Sequence, residues 1–211
     1  MKKKFFIFSH AMEIGGAERA LLGLLSSIDY SKYDVDLFLL RHSGDLMDLI
    51  PEQVNLLPEL PQYSALMMPM IQALKSGQIA VVLGRLVGKI KAKNYSIKHP
   101  TQSSAVAIDY SHKYVVDFLP KINAKNYDCA ISFLTPHYIV SKKVNADKKI
   151  AWIHTDYSTI EVDVKSELKM WSRFDSIVSI SDDVTAAFLK KFLEKPLFLG
   201  NGFSRNLLLY C

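Results

Sequence analysis

Short apolar runs alternate with amphipathic stretches along most of the chain. Six apolar runs predict β-strands, at residues 4–9, 36–40, 54–57, 127–133, 149–153 and 175–180. Apolar residues at helical spacing predict helices over 17–28 and 183–192. Because the strand runs are nearly continuous in apolar residues, we expect strands that are buried on both faces. The pattern therefore predicts an α/β fold, a Rossmann-like parallel sheet with helices on both faces.

The segment 60–108 departs from this alternation because it contains no Asp or Glu. Its six basic residues are Lys75, Arg85, Lys89, Lys91, Lys93 and Lys98. Six apolar residues fall on one helical face, with Arg85 and Lys89 on its flank: Ile79, Val82, Leu83, Leu86, Val87 and Ile90. Gly84 and Gly88 weaken this predicted helix by about 1 kcal/mol each relative to Ala.

Two interpretations of this basic amphipathic helix remain open. It can lie on an anionic membrane surface, with Arg85, Lys89 and Lys93 facing the membrane or an acceptor molecule. Alternatively, its apolar face packs on the sheet and its lysines are simply solvated.

Composition and charge bound the class of protein. The 211 residues carry a formal net charge of +5 and are 49% hydrophobic, which excludes wholesale disorder and suits a single core. Cys129 and Cys211 cannot form a disulfide framework. The apolar run after the basic N-terminus is shorter than a signal peptide requires, and no window is long enough to span a bilayer. We expect a cytoplasmic protein, and the charge is too modest to indicate nucleic-acid binding.

The turn after the first strand is the first candidate site. Gly15 and Gly16 precede a helix, so the backbone can approach a ligand closely and the first helical N–H groups favour an anion such as a diphosphate. A plain tight turn is the structural alternative, and Glu18 can simply complement the helix dipole.

The ends of two later strands supply the other candidates. His154 follows an apolar strand, at the sheet edge where ligands of α/β proteins bind, and can donate to a substrate hydroxyl or carry a proton. Asp156 and Tyr157 either contact substrate or order the loop. Ser181 is suited to cap the next helix, a role compatible with ligand contact.

Several common sites are set aside. The dinucleotide fingerprint and the phosphate-loop pattern are absent from the sequence. Asp34 and Asp36 match a D-x-D metal pattern but precede their apolar run, away from the ligand-binding edge. The histidines show no zinc spacing. We therefore expect neither a metal nor a cofactor.

Taken together, these segments resemble the N-terminal half of family 4 glycosyltransferases, retaining sugar transferases built from two Rossmann-like lobes (the GT-B fold). The resemblance rests on KFFIFS at 4–9, GGAERAL at 15–21, DVDLFLL at 34–40, KKIAWIHTDY at 148–157 and DSIVSIS at 175–181. The order is similar to that of bacterial cell-surface polysaccharide enzymes. It implies that Gly15 and Gly16 approach the donor diphosphate and that His154 contacts the transferred sugar. Glu18, Asp156, Tyr157 and Ser181 are weaker candidates for the same site.

The resemblance also implies a domain organisation and partners. Residues 1–199 correspond to the acceptor-side lobe, and 200–211 to the start of the segment that crosses into a donor-binding lobe. The expected ligands are a nucleotide-sugar and a glycan or lipid-linked acceptor, and a separate donor-binding domain is a possible partner. Without that lobe we expect the chain alone to have little transferase activity.

A second class of function stays open. The chain can be a non-catalytic, acceptor-binding or membrane-associated subunit of a split transferase, peripheral at the inner face of the membrane. A generic Rossmann-like nucleotide binder is disfavoured by the missing glycine fingerprint.

Overall fold

The computed structural model describes residues 1–100 and 105–193, and the backbone of 208–210. Its strands form one parallel sheet in the order β3-β2-β1-β4-β5-β6-β7. The strands are β1 Lys3–Ser9, β2 Tyr33–Leu39, β3 Asn55–Leu56, β4 Asn126–Ser132, β5 Asn145–Ile153, β6 Ser176–Ser179 and β7 Leu208–Tyr210. The predicted α/β, Rossmann-like fold is confirmed.

Eight α-helices lie within the described residues. They are α1 Gly16–Ser27, α2 Pro61–Ser64, α3 Met70–Lys75, α4 Ile79–Lys98, α5 Val106–Val115, α6 Tyr138–Lys143, α7 Val164–Trp171 and α8 Asp182–Phe192. The predicted helices at 17–28 and 183–192 each begin one residue earlier than expected. Strand β7 falls in the stretch 200–211, which was expected to begin a crossing segment; residues 200–207 and 211 lie outside the described part.

The sheet is buried on both faces, as its continuous apolar strands predict. Alternate residues of β1 point to opposite cores: Phe6 and Phe8 to one, Ile7 to the other. Helix α1 covers the Ile7 face through Leu21 and Leu25. Residues of α2 to α8 belong to the core on the opposite face. In the described residues the two faces are therefore covered very unequally.

The position of β1 creates the crevice in which a ligand can bind. It pairs with β2 on one side and with β4 on the other, so the chain leaves it in one direction and later returns on the opposite side. The loops after β1 and β4 therefore diverge at the carboxyl edge. In open α/β sheets this switch point is where ligands bind.

Hydrogen bonds to the carboxylate of Asp36, in β2, connect this strand with its neighbourhood in the sheet. The carboxylate accepts hydrogen bonds from Asn55 Nδ2 (2.6 Å), Tyr127 Oη (2.7 Å) and Lys125 Nζ (2.9 Å). Burial alone would raise the pKa of Asp36, but these three donors outweigh it and the pKa is lowered. One half of the D-x-D pattern is thus a structural link between β2, β3 and the start of β4.

Two glycines let α4 lie unusually close to α5. A Cβ at Gly84 would lie 2.7 Å from Val115 Cα, and one at Gly88 would lie 2.6 Å from the carbonyl oxygen of Tyr110. Any side chain larger than hydrogen would push the helices apart. The glycines that weaken the helix in isolation are therefore what allows it to pack.

Helix α4 packs on the sheet core through only a small part of its surface. Its buried residues are Val81, Val82, Gly84, Gly88 and Ala92, of which Val81 and Val82 belong to that core. Of the predicted apolar face, Val82 is buried, but Ile79, Leu83, Leu86, Val87 and Ile90 are exposed. Most of that face therefore does not pack on the sheet, and the small-residue face contacts α5 instead.

We expect Gly88→Ala to lower the free energy of unfolding by about 1–3 kcal/mol, because overpacking outweighs the gain in helix propensity. Urea denaturation measures the change. Gly23→Ala is the matched control: that glycine lies in the middle of α1 with nothing within 4 Å of the added Cβ, so the same substitution should stabilise or be neutral. Equal effects of the two substitutions would contradict the close contact.

Candidate functional site

The loop after β1 is held in place by the loop after β2. Met12 N–H donates to the carbonyl of Ser43 (2.8 Å), and Leu46 N–H donates to the carbonyl of Met12 (2.9 Å). Gly44 has φ +114°, and a Cβ there would collide with the backbone of Met12. Glycine is required at this position. These hydrogen bonds fix the loop after β1, which leads to Gly15 at the start of α1.

Glu18 bends back over the start of its own helix. Gly15 is the N-cap of α1, with no side-chain hydrogen bond, and a Cβ there would collide with the Glu18 carboxylate. At Gly16, in contrast, an added Cβ would meet no described atom within 4 Å. An acidic group thus lies where the helix dipole favours an anion, and an open backbone position lies beside it.

His10 stands at the switch point between β1 and β4. It follows the last residue of β1, and its Nε2 donates a hydrogen bond to the carbonyl of Thr135 in the loop after β4. Burial lowers the pKa of His10, while the Thr135 carbonyl and Glu18 partly offset that effect. The imidazole is therefore neutral near pH 7 and bridges the two diverging loops.

His154 lies at the carboxyl end of β5, on the same edge of the sheet. Its ring packs against Phe133 at a centroid distance of 4.8 Å. Burial lowers its pKa, and Glu18 acts in the opposite direction. Its Nε2 is buried without a hydrogen-bond partner in the described residues. A neutral ring nitrogen of this kind is free to bond with a ligand hydroxyl.

A cavity of about 280 Å³ lies beside this edge, between α5, α7 and the loops after β4 and β5. Its apolar lining includes Ile108, Pro136, Ile160, Val162 and Met170. Its polar lining includes Asp109, His112, Thr135, Thr155, Tyr157 and Glu167. The mixture of apolar walls and a few polar groups is typical of a small-ligand site.

Two neighbouring carboxyl groups lie in the wall of this cavity. Asp109 and Glu167 are 9% and 6% exposed, and burial raises the pKa of both. The charge of Asp109 adds to the effect of burial on Glu167, whose pKa is raised well above its usual range, and Asp109 Oδ2 is buried without a hydrogen-bond partner in the described residues. Lys113 favours the charged form of Asp109. Such a pair offers a ligand both a donor and acceptors.

Two further histidines stay neutral in this region. Burial lowers the pKa of His137 to about 3 and that of His112 to about 4. His137 Nδ1 bonds with Ser132 Oγ at 2.8 Å, and its ring packs on Trp171 at 4.9 Å. His137 is therefore a buried structural residue, whereas His112 also lines the cavity.

Four of the predicted site residues lie along the carboxyl edge of the sheet: Gly15, Gly16, Glu18 and His154. Of these, Glu18 is near enough to act on the pKa of His154. Tyr157 is buried and its hydroxyl points to Glu167 Oε2 at 3.5 Å, so it belongs to the cavity wall. Asp156 is exposed and accepts from Ser158 N–H (2.8 Å), which orders its own turn. Ser181 caps α8 by accepting from Val184 N–H (3.3 Å).

The basic candidates lie apart from the crevice, on α4. Arg85 donates from Nη1 to the carbonyls of Ala65 (3.2 Å) and Met68 (2.7 Å), so it holds the segment before α3 in place. Lys89 and Lys93 are exposed.

Sequence reasoning did not select His10, His112, Asp109 or Glu167. His10 could have been predicted from the sequence, because it directly follows β1 just as His154 directly follows β5. The carboxyl pair carries no signal in the sequence, since its members are brought together by the packing of α5 against α7.

Three further observations complete the description. Within residues 1–100 and 105–193, no group of three or more His, Cys, Asp or Glu side chains could hold a metal ion. The described helices include none that is both long enough and apolar enough to cross a bilayer. No protein-family model, curated protein or solved structure matches this chain.

We expect His112 and His137, whose pKa values are lowered, to make folding sensitive to mild acid. Below the ordinary pKa of 6.5 the unfolded chain protonates His112, while the folded protein does so near pH 4. Stability contributed by this residue is complete above pH 6.5 and is lost at up to about 1.4 kcal/mol per pH unit as the pH falls toward 4. Urea denaturation of His112→Gln should show a shallower loss over this range.

His99→Gln serves as the matched control, because His99 is exposed at the end of α4. It should keep the wild-type pH profile. A His112→Gln profile identical to that of the unaltered chain would show that His112 titrates alike in the folded and unfolded states.

Proposed function

We propose that this chain is the acceptor-side lobe of a retaining glycosyltransferase resembling family 4 enzymes, and that it serves in the synthesis of a bacterial cell-surface polysaccharide. One observation carries the proposal. The glycine pair at the start of α1 and the unpartnered Nε2 of His154 both lie along the carboxyl edge of a parallel sheet. A helix start with little side-chain bulk suits an anion, and a free imidazole nitrogen suits a hydroxyl group, so the two together suit a diphosphate that is linked to a sugar.

The diphosphate of a nucleotide-sugar would bind at the start of α1. The N–H groups of the first helical turn lack partners within the helix, and the dipole favours negative charge there. In retaining transfer, the diphosphate is the leaving group, and its developing charge must be stabilised. Because Glu18 lies over Gly15, its carboxylate has to move aside when the diphosphate binds.

The sugar would lie against His154. A neutral imidazole accepts a hydrogen bond from a sugar hydroxyl or donates one to it, depending on which nitrogen is protonated. His10 is nearby on the same edge and is held by Thr135, so it can order the loops that close around the sugar. The protein's part in this scheme is to orient the sugar and stabilise the leaving group, without a metal.

The acceptor would occupy the cavity beside the crevice. Its apolar residues suit the C–H faces of a sugar ring, and the Asp109–Glu167 pair can accept from and donate to hydroxyl groups. Tyr157 belongs to this wall. In this proposal Asp156 and Ser181 act indirectly, by holding the turn after β5 and the start of α8.

A non-catalytic role is the second candidate. The acceptor cavity is built from the described lobe alone, so a chain of this kind can bind a glycan or lipid-linked acceptor and present it to a separate donor-binding domain. This role needs the carboxyl pair but not the glycine pair.

Binding of nucleotide-sugars separates the two candidates. With isotope-labelled protein, we expect UDP at millimolar concentration to shift the NMR signals of the Gly15 and Gly16 amides. UDP-glucose and other UDP- or GDP-sugars should, for the correct sugar, also shift the ring signals of His154. Absence of amide shifts at Gly15 and Gly16 with every nucleotide would contradict the transferase proposal and favour the non-catalytic role.

The substitution Glu18→Gln tests whether the Glu18 carboxylate, which lies over Gly15, opposes binding of the diphosphate. Removing the negative charge should strengthen binding of UDP by about a few-fold, since the repulsion between the Glu18 carboxylate and the diphosphate disappears. Isothermal titration or the same NMR signals measure the change. Glu13→Gln, which removes an exposed charge from the preceding loop, is the control. Weaker binding by Glu18→Gln would instead mean that Glu18 contacts the ligand productively.

A further inference from the structure

Helix α4 presents an apolar stripe that no described part of the chain covers. Because successive residues of an α-helix are rotated by about 100°, the exposed apolar side chains of α4 fall on one side of the helix, opposite the side that carries Gly84 and Gly88. These side chains are Ile79 (57% exposed), Leu83 (50%), Leu86 (40%), Val87 (38%), Ile90 (60%) and Ile97 (68%). The first five of these, from Ile79 to Ile90, lie within about three turns, which exceeds the isolated exposed apolar residues that are normal on a protein surface.

The neighbouring short helix extends this surface. Helix α3 packs against α4, and its Ile71 and Leu74 are 70% and 53% exposed. We call these exposed residues of α3 and α4 the apolar face. The core does not require them, because α4 is already anchored through Gly84, Gly88 and Ala92 against α5.

The charge around the apolar face has one sign. Lys89 and Lys93 run along one margin of the stripe on α4, and Lys91 and Lys98 along the other. All four are exposed, and the whole segment 60–108 lacks Asp and Glu. Lysines on both margins of an apolar stripe can extend to the phosphate level of a lipid surface while the stripe enters the acyl boundary.

We propose that the apolar face docks on the surface of an anionic lipid bilayer. Charge complementarity selects this occupant over a second copy of the chain, because two such faces would bring like-charged lysines together. Such docking would remove the exposed apolar side chains of α4 from water. The docking is independent of sugar transfer.

Docking would also bring the cavity near the membrane. A groove of about 340 Å³ between α4 and α5 is lined by Arg85, Lys89 and His112 among others. It shares Ile108 and His112 with the cavity that contains the carboxyl pair. A basic groove therefore leads from the docked helix toward the polar cavity.

Vesicle sedimentation tests the docking with the full chain. We expect binding to vesicles of phosphatidylcholine with phosphatidylglycerol, weak binding to phosphatidylcholine alone, and loss of binding at about 0.5 M salt. The double substitution Lys89→Glu with Lys93→Glu should weaken binding about tenfold or more. The matched control, Lys165→Glu with Lys169→Glu, changes two exposed lysines of α7 by the same charge and should bind as the unaltered chain does.

A second pair of variants tests how much the apolar side chains contribute to vesicle binding. Ile90→Gln should weaken vesicle binding several-fold, whereas Leu49→Gln, at a residue equally exposed (60%), should leave it unchanged. Both variants should fold, because neither side chain is buried, and circular dichroism checks this. Equal binding to neutral and anionic vesicles, no vesicle binding, or a dimer in analytical ultracentrifugation that Ile90→Gln dissolves would each overturn the proposal.

Discussion

The parallel pairing of β1 between β2 and β4 is the constraint on which the rest of the structure depends. It places every strand's carboxyl end on one edge, so that residues far apart in the sequence, such as His10 and His154, share a surface. It also makes the loops after β1 and β4 diverge, which opens the crevice. The loop after β2, through Gly44, fixes how the glycine pair enters that crevice.

A second constraint, the glycine contact between α4 and α5, shapes the outer surface. Because Gly84 and Gly88 allow the helices to touch along their backbones, the larger apolar residues of α4 are left facing solvent. Helix α5, on the other side of this contact, carries Asp109 of the cavity wall. The small-residue interface thus borders both the apolar face and the helix that lines the cavity.

The architecture was predictable because continuous apolar runs and helical spacing reflect local burial, which the sequence records directly. The crevice residues Gly15, Gly16 and His154 were predictable because strand ends in a parallel sheet converge. The carboxyl pair was not, since Asp109 and Glu167 are brought together by tertiary packing. For α4 the sequence left two interpretations open for a related reason: apolar periodicity shows that a face exists but not what covers it, and Gly84 and Gly88 reveal their role only against α5.

We propose that the crevice binds a nucleotide-sugar, with its diphosphate at the start of α1 and its sugar beside His154. A crystal structure of the chain grown with UDP-sugars tests this binding mode. We expect diphosphate density at the backbone of Gly15 and Gly16, with Glu18 turned away, and a sugar hydroxyl within hydrogen-bond distance of His154 Nε2. A nucleotide bound elsewhere on the chain, with Glu18 still folded over Gly15, would show that the crevice is not the donor site.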